Sequence, residues 1–593
     1  MFRHVSLVLA FVVSALAVFA LSSGLRAAVP PPVAAAQDMA VTAQAHGTRV
    51  AQEILAKGGN AVDAAVAAAY ALAVTHPCCG NLGGGGFMTL HLAETGKEIA
   101  LDFREKAPLA ATKDMYLGAD GEVRHDLSLK GYLAVGVPGT VMGLEQARAA
   151  YGTMSREALM APAIALAEEG YVLTPADVAI LAYGTDAFAA DPASAAIFLK
   201  DGKPYAAGDR LRQPDLAKTL KAIAEDGPDA FYRGPVAEAV VKASQANGGI
   251  LSLEDFAQYR AEERAPIRCF YRGFEVISMP PPSSGGLTLC LILNVLEGYP
   301  LGHMGFNSAE SIHVMVEAMR RAYADRNSLL GDPDFVEIPA QRLLSKSYAA
   351  ELRQSIPAFA ASPIGDIKDP AELDGSNNTT QISVMDAAGN AVSLTYTINS
   401  YFGAKRIAPG TGFFLNNEMN DFTAKPGVAN MFGLVQGAKN AIAPGKRPLS
   451  SMSPTLVKRN DEVFLVLGSP GGSRIITIVL QGILNVVDHG MDISQAVNAP
   501  RIHNQWLPDV VYYEPWAFTR DTLKILEQMG YSLREQKGWG ALEAIMKVPK
   551  GGLPRPQHLQ AFGDDSTHGS FASPGWLYGV NDSRRPAGLA AGR

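Results

Sequence analysis

The pair Thr379-Thr380 lies in the run Gly375-Ser376-Asn377-Asn378-Thr379-Thr380-Gln381, where a polar, turn-rich stretch (366–378) gives way to alternating hydrophobicity. That boundary predicts a loop running directly into a strand. A cut before Thr379 would set its hydroxyl beside a free α-amine, whose pKa of about 7.7–8.0 lets it take the hydroxyl proton near neutral pH. An internal threonine has no such base. Asn-Asn-Thr-Thr equally suits a loop capped by its own side chains, so the pair gains weight only if other groups converge on it.

Two alternating segments follow, 381–386 and 391–399, and Ala388-Gly389-Asn390 can join them as a three-residue hairpin loop. Pairing Thr379 with Asn399 sets Gln381 against Thr397, Ser383 against Thr395 and Met385 against Ser393. Ile382, Val384, Leu394, Tyr396 and Ile398 then share the opposite face, whereas a slip of one residue mixes polar with apolar. Thr379, Thr397 and Asn399 therefore converge on one polar face, although a half-exposed hairpin would alternate in the same way. An apolar strand (463–468) and a long apolar helix (473–485) flank Ser469-Pro470-Gly471-Gly472. Backbone N–H groups at such a strand-to-helix turn suit a developing oxyanion, and the helix dipole adds to this; a turn needed only for chain reversal has the same composition. Asn416-Asn417-Glu418-Met419-Asn420-Asp421 offers carboxylates for an ammonium group, as do many exposed acidic loops.

The elements that must hold these groups are also legible. Residues 43–57, closed by Gly58-Gly59, read as a helix, and Asn60 with Asp63 starts an alanine-rich one through Val74 whose small side chains predict close packing. Gly80-Asn81-Leu82-Gly83-Gly84-Gly85-Gly86 leads into strands 87–92 and 99–103 across the Thr95-Gly96-Lys97 turn. This glycine run lacks a GK[ST] ending and precedes a strand rather than a helix, so it reads as tight packing and not as a phosphate cradle. Asn307 with Glu310 makes a capping-box start, and Ile312, Met315, Val316, Met319 and Tyr323 trace a core-facing stripe.

At 593 residues, with 48% hydrophobic and 18% charged, the chain can bury a large core and has no low-complexity segment. No linker or repeat divides it, so one large folded unit remains open beside several domains. A formal charge of −7 without a basic cluster gives no footprint for a nucleic acid. Residues 1–36 carry Arg3 and His4, an apolar run (5–21), Pro30-Pro31-Pro32 and Ala34-Ala35-Ala36. That order reads as a secretory signal peptide with the alanine triplet as its cleavage site, a retained anchor being the competing view. No later stretch is long and apolar enough to span a bilayer, so an exported soluble protein, periplasmic or secreted, is expected. Cys78, Cys79, Cys269 and Cys290 permit disulfides there, but spacing cannot pair them. No HExxH or paired-His spacing occurs among the eleven histidines, and neither a metal nor a cofactor is expected.

The blocks Asn378-Thr379-Thr380, Thr395-Tyr396-Thr397-Ile398-Asn399, Leu415-Asn416-Asn417-Glu418-Met419, Arg447-Pro448-Leu449-Ser450-Ser451-Met452-Ser453-Pro454 and Gly468-Ser469-Pro470-Gly471-Gly472-Ser473-Arg474 resemble the γ-glutamyltransferases in order and spacing. Gly59-Asn60-Ala61-Val62-Asp63, Thr75-His76-Pro77, the glycine run, Asp102-Phe103-Arg104-Glu105 and Pro281-Pro282-Ser283-Ser284-Gly285-Gly286 extend the likeness over nearly the whole chain, down to Arg584-Arg585-Pro586. The resemblance implies an α+β, four-layer αββα sandwich of the N-terminal-nucleophile hydrolase type, built jointly by a large subunit (37–378) and a small one (379–593). It implies self-cleavage between Asn378 and Thr379, then attack of Thr379 on the γ-amide of glutathione or a related compound. The γ-glutamyl ester would pass to water or to an amino acid or peptide acceptor. In that pattern Thr397 positions Thr379, and Gly471 and Gly472 form the oxyanion hole. Arg104, Ser450 and Ser451 take the α-carboxylate, and Asn399, Glu418 and Asp421 the α-amine, a division that agrees with the charges.

Residues 424–446 resemble the family's lid loop, with Phe432 where some relatives carry an aromatic hydroxyl; closure would then rest on ring packing. Gln381 stands where the pattern has histidine, and the Cys78-Cys79 pair is a further departure. Two rivals remain. A glutaryl-type cephalosporin acylase uses the same nucleophile on a donor without an α-amine, which leaves Glu418 and Asp421 without purpose. A non-catalytic exported binding protein would not need to cleave itself.

Overall fold

The structure, a computed structural model, describes residues 29–363, 379–549 and 573–593. The apolar run of the expected signal peptide and the loop ending at Asn378 lie outside these residues.

Two seven-stranded sheets face each other. In the first the strand order is Leu589–Gly592, Met39–Thr42, Thr380–Met385, Ala391–Thr397, Gly85–Leu92, Lys97–Phe103 and Glu262–Arg264. In the second it is Val33–Ala35, Leu577–Val580, Glu543–Lys547, Glu462–Gly468, Thr455–Arg459, Phe274–Ser278 and Ile267–Tyr271. Every neighbouring pair runs antiparallel. Helices Ala45–Ala56 and Ala61–Thr75 cover the first sheet, and Gly285–Leu296, Ala309–Leu329 and Ile475–Val487 lie on the side of the second. This is the αββα sandwich that the sequence led us to expect.

The alanine-rich helix behaves as its composition dictates. Asn60 and Asp63 form a capping box, and every residue from Ala61 to Thr75 is buried. The glycine run is likewise a packing device. A Cβ on Gly84 would stand 1.9 Å from the Thr397 carbonyl oxygen, and one on Gly86 would be 2.5 Å from that of Thr395, so only glycine lets the Gly85–Leu92 strand enter beside the hairpin.

The central hairpin corrects the predicted register by two residues. Gln381 pairs with Thr395, Ser383 with Ser393 and Met385 with Ala391, so the loop is Ala387-Ala388-Gly389. Asp386 causes the shift. Its carboxylate accepts from Ala388 N and Asn390 N, both at 3.0 Å, and from Asn390 Nδ2 at 2.8 Å, which makes it a turn residue and not the last strand residue. The shift is even, so each side chain keeps its predicted face. That polar face is not half-exposed: it is buried against the second sheet. Ser383 Oγ donates to Glu543 O (2.8 Å), Ser393 Oγ to Leu467 O (3.0 Å), and Thr395 Oγ1 to Gln381 Oε1 (2.6 Å). Gln381, at the position where the family pattern has histidine, sits in the middle of this polar seam. The apolar face packs under the helices.

Two further points differ from expectation. The helix predicted to start at Asn307 with Glu310 has Ser308 as its N-cap, accepting from Ser311 N, and begins at Ala309. Asn307 instead adopts a left-handed conformation (φ 51°) and donates to Ala517 O. Val33–Ala35, which overlaps the alanine triplet expected as the signal cleavage site, is an edge strand paired with Leu577–Val580. The cysteines, which spacing left unpaired, form two disulfides. Cys269–Cys290 ties an edge strand to the Gly285–Leu296 helix, and Cys78–Cys79 joins chain neighbours beside His76. Among the described residues no helix is long and apolar enough to cross a membrane.

Candidate active site

Thr379 stands immediately before the Thr380–Met385 strand, and Thr397 ends the strand beside it. Their side chains meet: Thr379 Oγ1 donates to Thr397 Oγ1 at 3.1 Å, and Thr397 Oγ1 also accepts from Asn399 N at 2.9 Å. Thr397 is therefore held as an acceptor that fixes the Thr379 hydroxyl. Thr379 has a φ of +102°, which is costly for a β-branched residue, and Asn399 has a φ of +71°. Strain thus gathers on the residue whose N-terminal bond is the expected cleavage site.

Both threonines line a cavity together with Arg104, Asn399, Glu418, Asp421, Ser450, Ser451 and Gly472. Strand and loop chemistry brings these groups in from distant parts of the chain. Arg104 follows the Lys97–Phe103 strand, and Glu418–Asp421 is a buried 3-10 turn. Arg104 reaches across to that turn, with Nη1 2.9 Å from Glu418 Oε1 and Nη2 bonded to Asp421 Oδ2. Glu105 is 3.5 Å from the same guanidinium.

This cluster is electrostatically tense. Burial holds the Glu418 carboxyl well above the ordinary carboxylate range, with Arg104 pulling the other way, and raises Asp421 for the same reason. Burial also pushes Glu105 up, to about 8. Both Glu418 oxygens and Asp421 Oδ1 are buried without a well-formed hydrogen bond. Buried acceptors in that state favour an added cationic donor. The arrangement thus refines the simple division of roles: the guanidinium expected to face a carboxylate is already countered by the acids expected to face an amine.

The oxyanion candidates lie at the predicted turn. Gly471 has a φ of +140° and Gly472 of +56°, and a 3-10 turn (Gly472–Arg474) leads into the Ile475–Val487 helix. Gly472 lines the cavity; Gly471 is set one residue back from it. The segment 424–446 folds over this end. A Cβ on Gly472 would be 2.5 Å from the Phe432 ring, so the ring packs directly on the glycine, as the absence of a hydroxyl led us to expect. Gln505 Nε2 holds Phe432 O at 2.9 Å, and Gln436 and Asn440 donate to Asp421 O.

Arg326 escaped the sequence reading. It lines the same cavity from the Ala309–Leu329 helix and is almost fully buried. Its signal was present: three residues after Tyr323, it continues the apolar stripe, and a charge on a core-facing stripe calls for a reason. Leu434, Leu449, Met452, Ser473 and Ile475 complete the wall and carried no separate signal.

Comparison with known proteins agrees with this geometry. The sequence profile described as Gamma-glutamyltranspeptidase matches residues 47–573. A glutathione hydrolase proenzyme of Pseudomonas sp. (strain A14) is 51% identical over 571 residues, covering 96% of each chain. The glutathione hydrolase proenzyme of Escherichia coli (strain K12) is 48% identical over 535 residues, 90% of this chain and 92% of that one. Among solved structures, a cephalosporin acylase from Bacillus halodurans superposes with a TM-score of 0.81 at 26% identity, covering 96% of this chain and 98% of the other. Sandwich topology, an apposed threonine pair and family-wide identity lead to one assignment: the chain belongs to the γ-glutamyltranspeptidase family of N-terminal-nucleophile hydrolases.

Proposed function

We propose that the chain is a self-cleaving γ-glutamyltransferase and glutathione hydrolase, with 37–378 as its large and 379–593 as its small subunit. Thr379 Oγ attacks the Asn378 carbonyl, the peptide C–N bond breaks as the acyl group passes to oxygen and the Thr379 α-amine is released, and water then hydrolyses the ester to leave the Asn378 carboxylate and a free Thr379 hydroxyl. That amine, with a pKa near about 8, then takes the hydroxyl proton as Oγ attacks the γ-amide of the donor. Gly471 and Gly472 N–H groups hold the oxyanion, the leaving amine receives the proton, and a γ-glutamyl ester remains on Thr379. Water gives hydrolysis; an amino acid or peptide amine gives transfer. Thr397 keeps Oγ in place, Asn399, Glu418 and Asp421 receive the donor's α-amine, and Arg104, Ser450 and Ser451 receive its α-carboxylate. Export through the N-terminal segment, with cleavage upstream of the Val33–Ala35 strand rather than after Ala36, leaves that strand in the second sheet and starts the large subunit a few residues before 37.

The observation that carries this reading is the meeting of the Thr379 and Thr397 hydroxyls in a cavity that also holds Arg104 and two carboxylates. An acylase acting on a glutaryl donor is the second reading, favoured by the Bacillus halodurans superposition. The three buried carboxylate oxygens without well-formed hydrogen bonds favour a donor that brings an ammonium.

The purified protein is expected to run as two bands on a denaturing gel, the smaller beginning at Thr379, and to release amine from a γ-glutamyl anilide. Thr379→Ala should stay uncut and inactive. Cleavage or turnover by that variant would overturn the mechanism, and an intact, inactive wild type would favour a binding protein.

A further inference from the structure

Arg326 is a fully buried guanidinium whose partners are all neutral. Nε donates to Ser284 Oγ (2.9 Å), Nη1 to Asn327 Oδ1 (2.8 Å) and Gln436 Oε1 (3.1 Å), and Nη2 to Ser451 Oγ (3.0 Å). Among the described residues no carboxylate lies within ion-pair distance of it. Other buried arginines are differently placed: Arg104 has Glu418 and Asp421, Arg447 has Asp102, and Arg501 has Asp582. A buried charge without a directly paired counter-charge is expensive; Asp421 acts on this one only through space, and it borders the donor cavity.

Its bonds also set the direction of two hydroxyls. Ser451 Oγ accepts from Arg326, so its own proton is free to be donated. Ser450 Oγ accepts from Met452 N at 3.1 Å and is in the same position. Ser284 Oγ, held by Arg326 Nε, donates in turn to Ser450 O at 2.6 Å. One guanidinium thus fixes the backbone of Ser450 and the hydroxyl of Ser451. Arg104 meanwhile is already opposed by two acids, so its charge alone does not make this end of the cavity positive.

We propose that Arg326 is a positioning and specificity-determining residue: it orients the Ser450–Ser451 donors and supplies the second positive charge that selects a donor bearing an α-carboxylate. This rests on the γ-glutamyl reading above. The test compares wild type, Arg326→Gln and Arg326→Lys on γ-glutamyl anilide and on 4-aminobutyryl anilide, which lacks only the α-carboxylate. Arg326→Gln should lower kcat/KM for the γ-glutamyl donor by about 10- to 100-fold, chiefly through KM, as expected for a lost charged hydrogen-bond network. Its loss on 4-aminobutyryl anilide should be at least about tenfold smaller. Arg326→Lys keeps the charge without the planar fork and should fall between. Equal losses on both donors, or no loss, would overturn the proposal. If Arg326→Gln fails to fold, the donor ratio of Arg326→Lys decides, and an unchanged ratio refutes it; failure of both variants to fold would make Arg326 a scaffold residue and also refute it. A wild type inert toward γ-glutamyl anilide would sink the donor reading itself, which is a separate result.

Discussion

Burial holds Glu418 and Asp421 protonated to a higher pH than ordinary carboxyls, and Arg104 opposes that shift without cancelling it. In their proposed role these acids hold a donor ammonium best when both are ionised, so affinity for an amine-bearing donor should fall as pH drops toward their raised pKa values. Acid also protonates the Thr379 α-amine, but it does so whatever the donor. The ratio of kcat/KM for γ-glutamyl over glutaryl anilide removes that common factor. We expect it to fall from alkaline toward acid pH, by up to about tenfold per unit for each proton taken up. A flat ratio would deny the two acids their role. Arg104, Glu418 and Asp421 were legible as candidates because charge and family pattern both mark them, and Ser450 and Ser451 through the family pattern alone. Arg326 was not, because one arginine in a helical stripe does not reveal that the stripe ends at a cavity.

At the scale of elements, alternation fixed the faces of the hairpin but not its register, since an even shift preserves every face. Asp386 decided the register through three hydrogen bonds in the turn. Nor did alternation tell a solvated face from one buried between two sheets, as both are polar. The glycine run was read correctly because its density demanded close approach, and it gives a sharp test. Gly84→Ala would drive a methyl against the Thr397 carbonyl at 1.9 Å and displace the strand that carries the nucleophile's partner. Overpacking of this kind costs about 1–3 kcal/mol or more, and here it acts on the catalytic geometry itself. The variant should accumulate as uncut or insoluble precursor. Gly96→Ala is the control: its φ of +66° carries a strain of about 1 kcal/mol, but nothing lies within 4 Å of the new methyl. It should cleave like wild type on a denaturing gel, and similar behaviour by both variants would refute the packing account.

Strand order could not be read from the sequence, because pairing across a sheet joins residues hundreds of positions apart. The observed order interleaves the proposed subunits in both sheets. Met39–Thr42 lies between Leu589–Gly592 and Thr380–Met385, and Phe274–Ser278 pairs with Thr455–Arg459. Val33–Ala35 lies on Leu577–Val580, and Asp38 holds Arg593. Separating the fragments would therefore break ladders in both sheets and expose their edges. Cleavage should leave one cooperative unit, and the tryptophans allow this to be tested. All four, Trp506, Trp516, Trp539 and Trp576, follow Thr379, so tryptophan fluorescence reports on the small fragment alone. Most of the long helices precede Thr379, so far-UV circular dichroism is weighted toward the large one. In denaturant the two signals should change together, and below that transition the fragments should co-elute on gel filtration. Two resolved transitions, or a small fragment that leaves while the dichroism stays native, would mean that the fragments stand as separate domains and that the interleaved sheets do not hold them together.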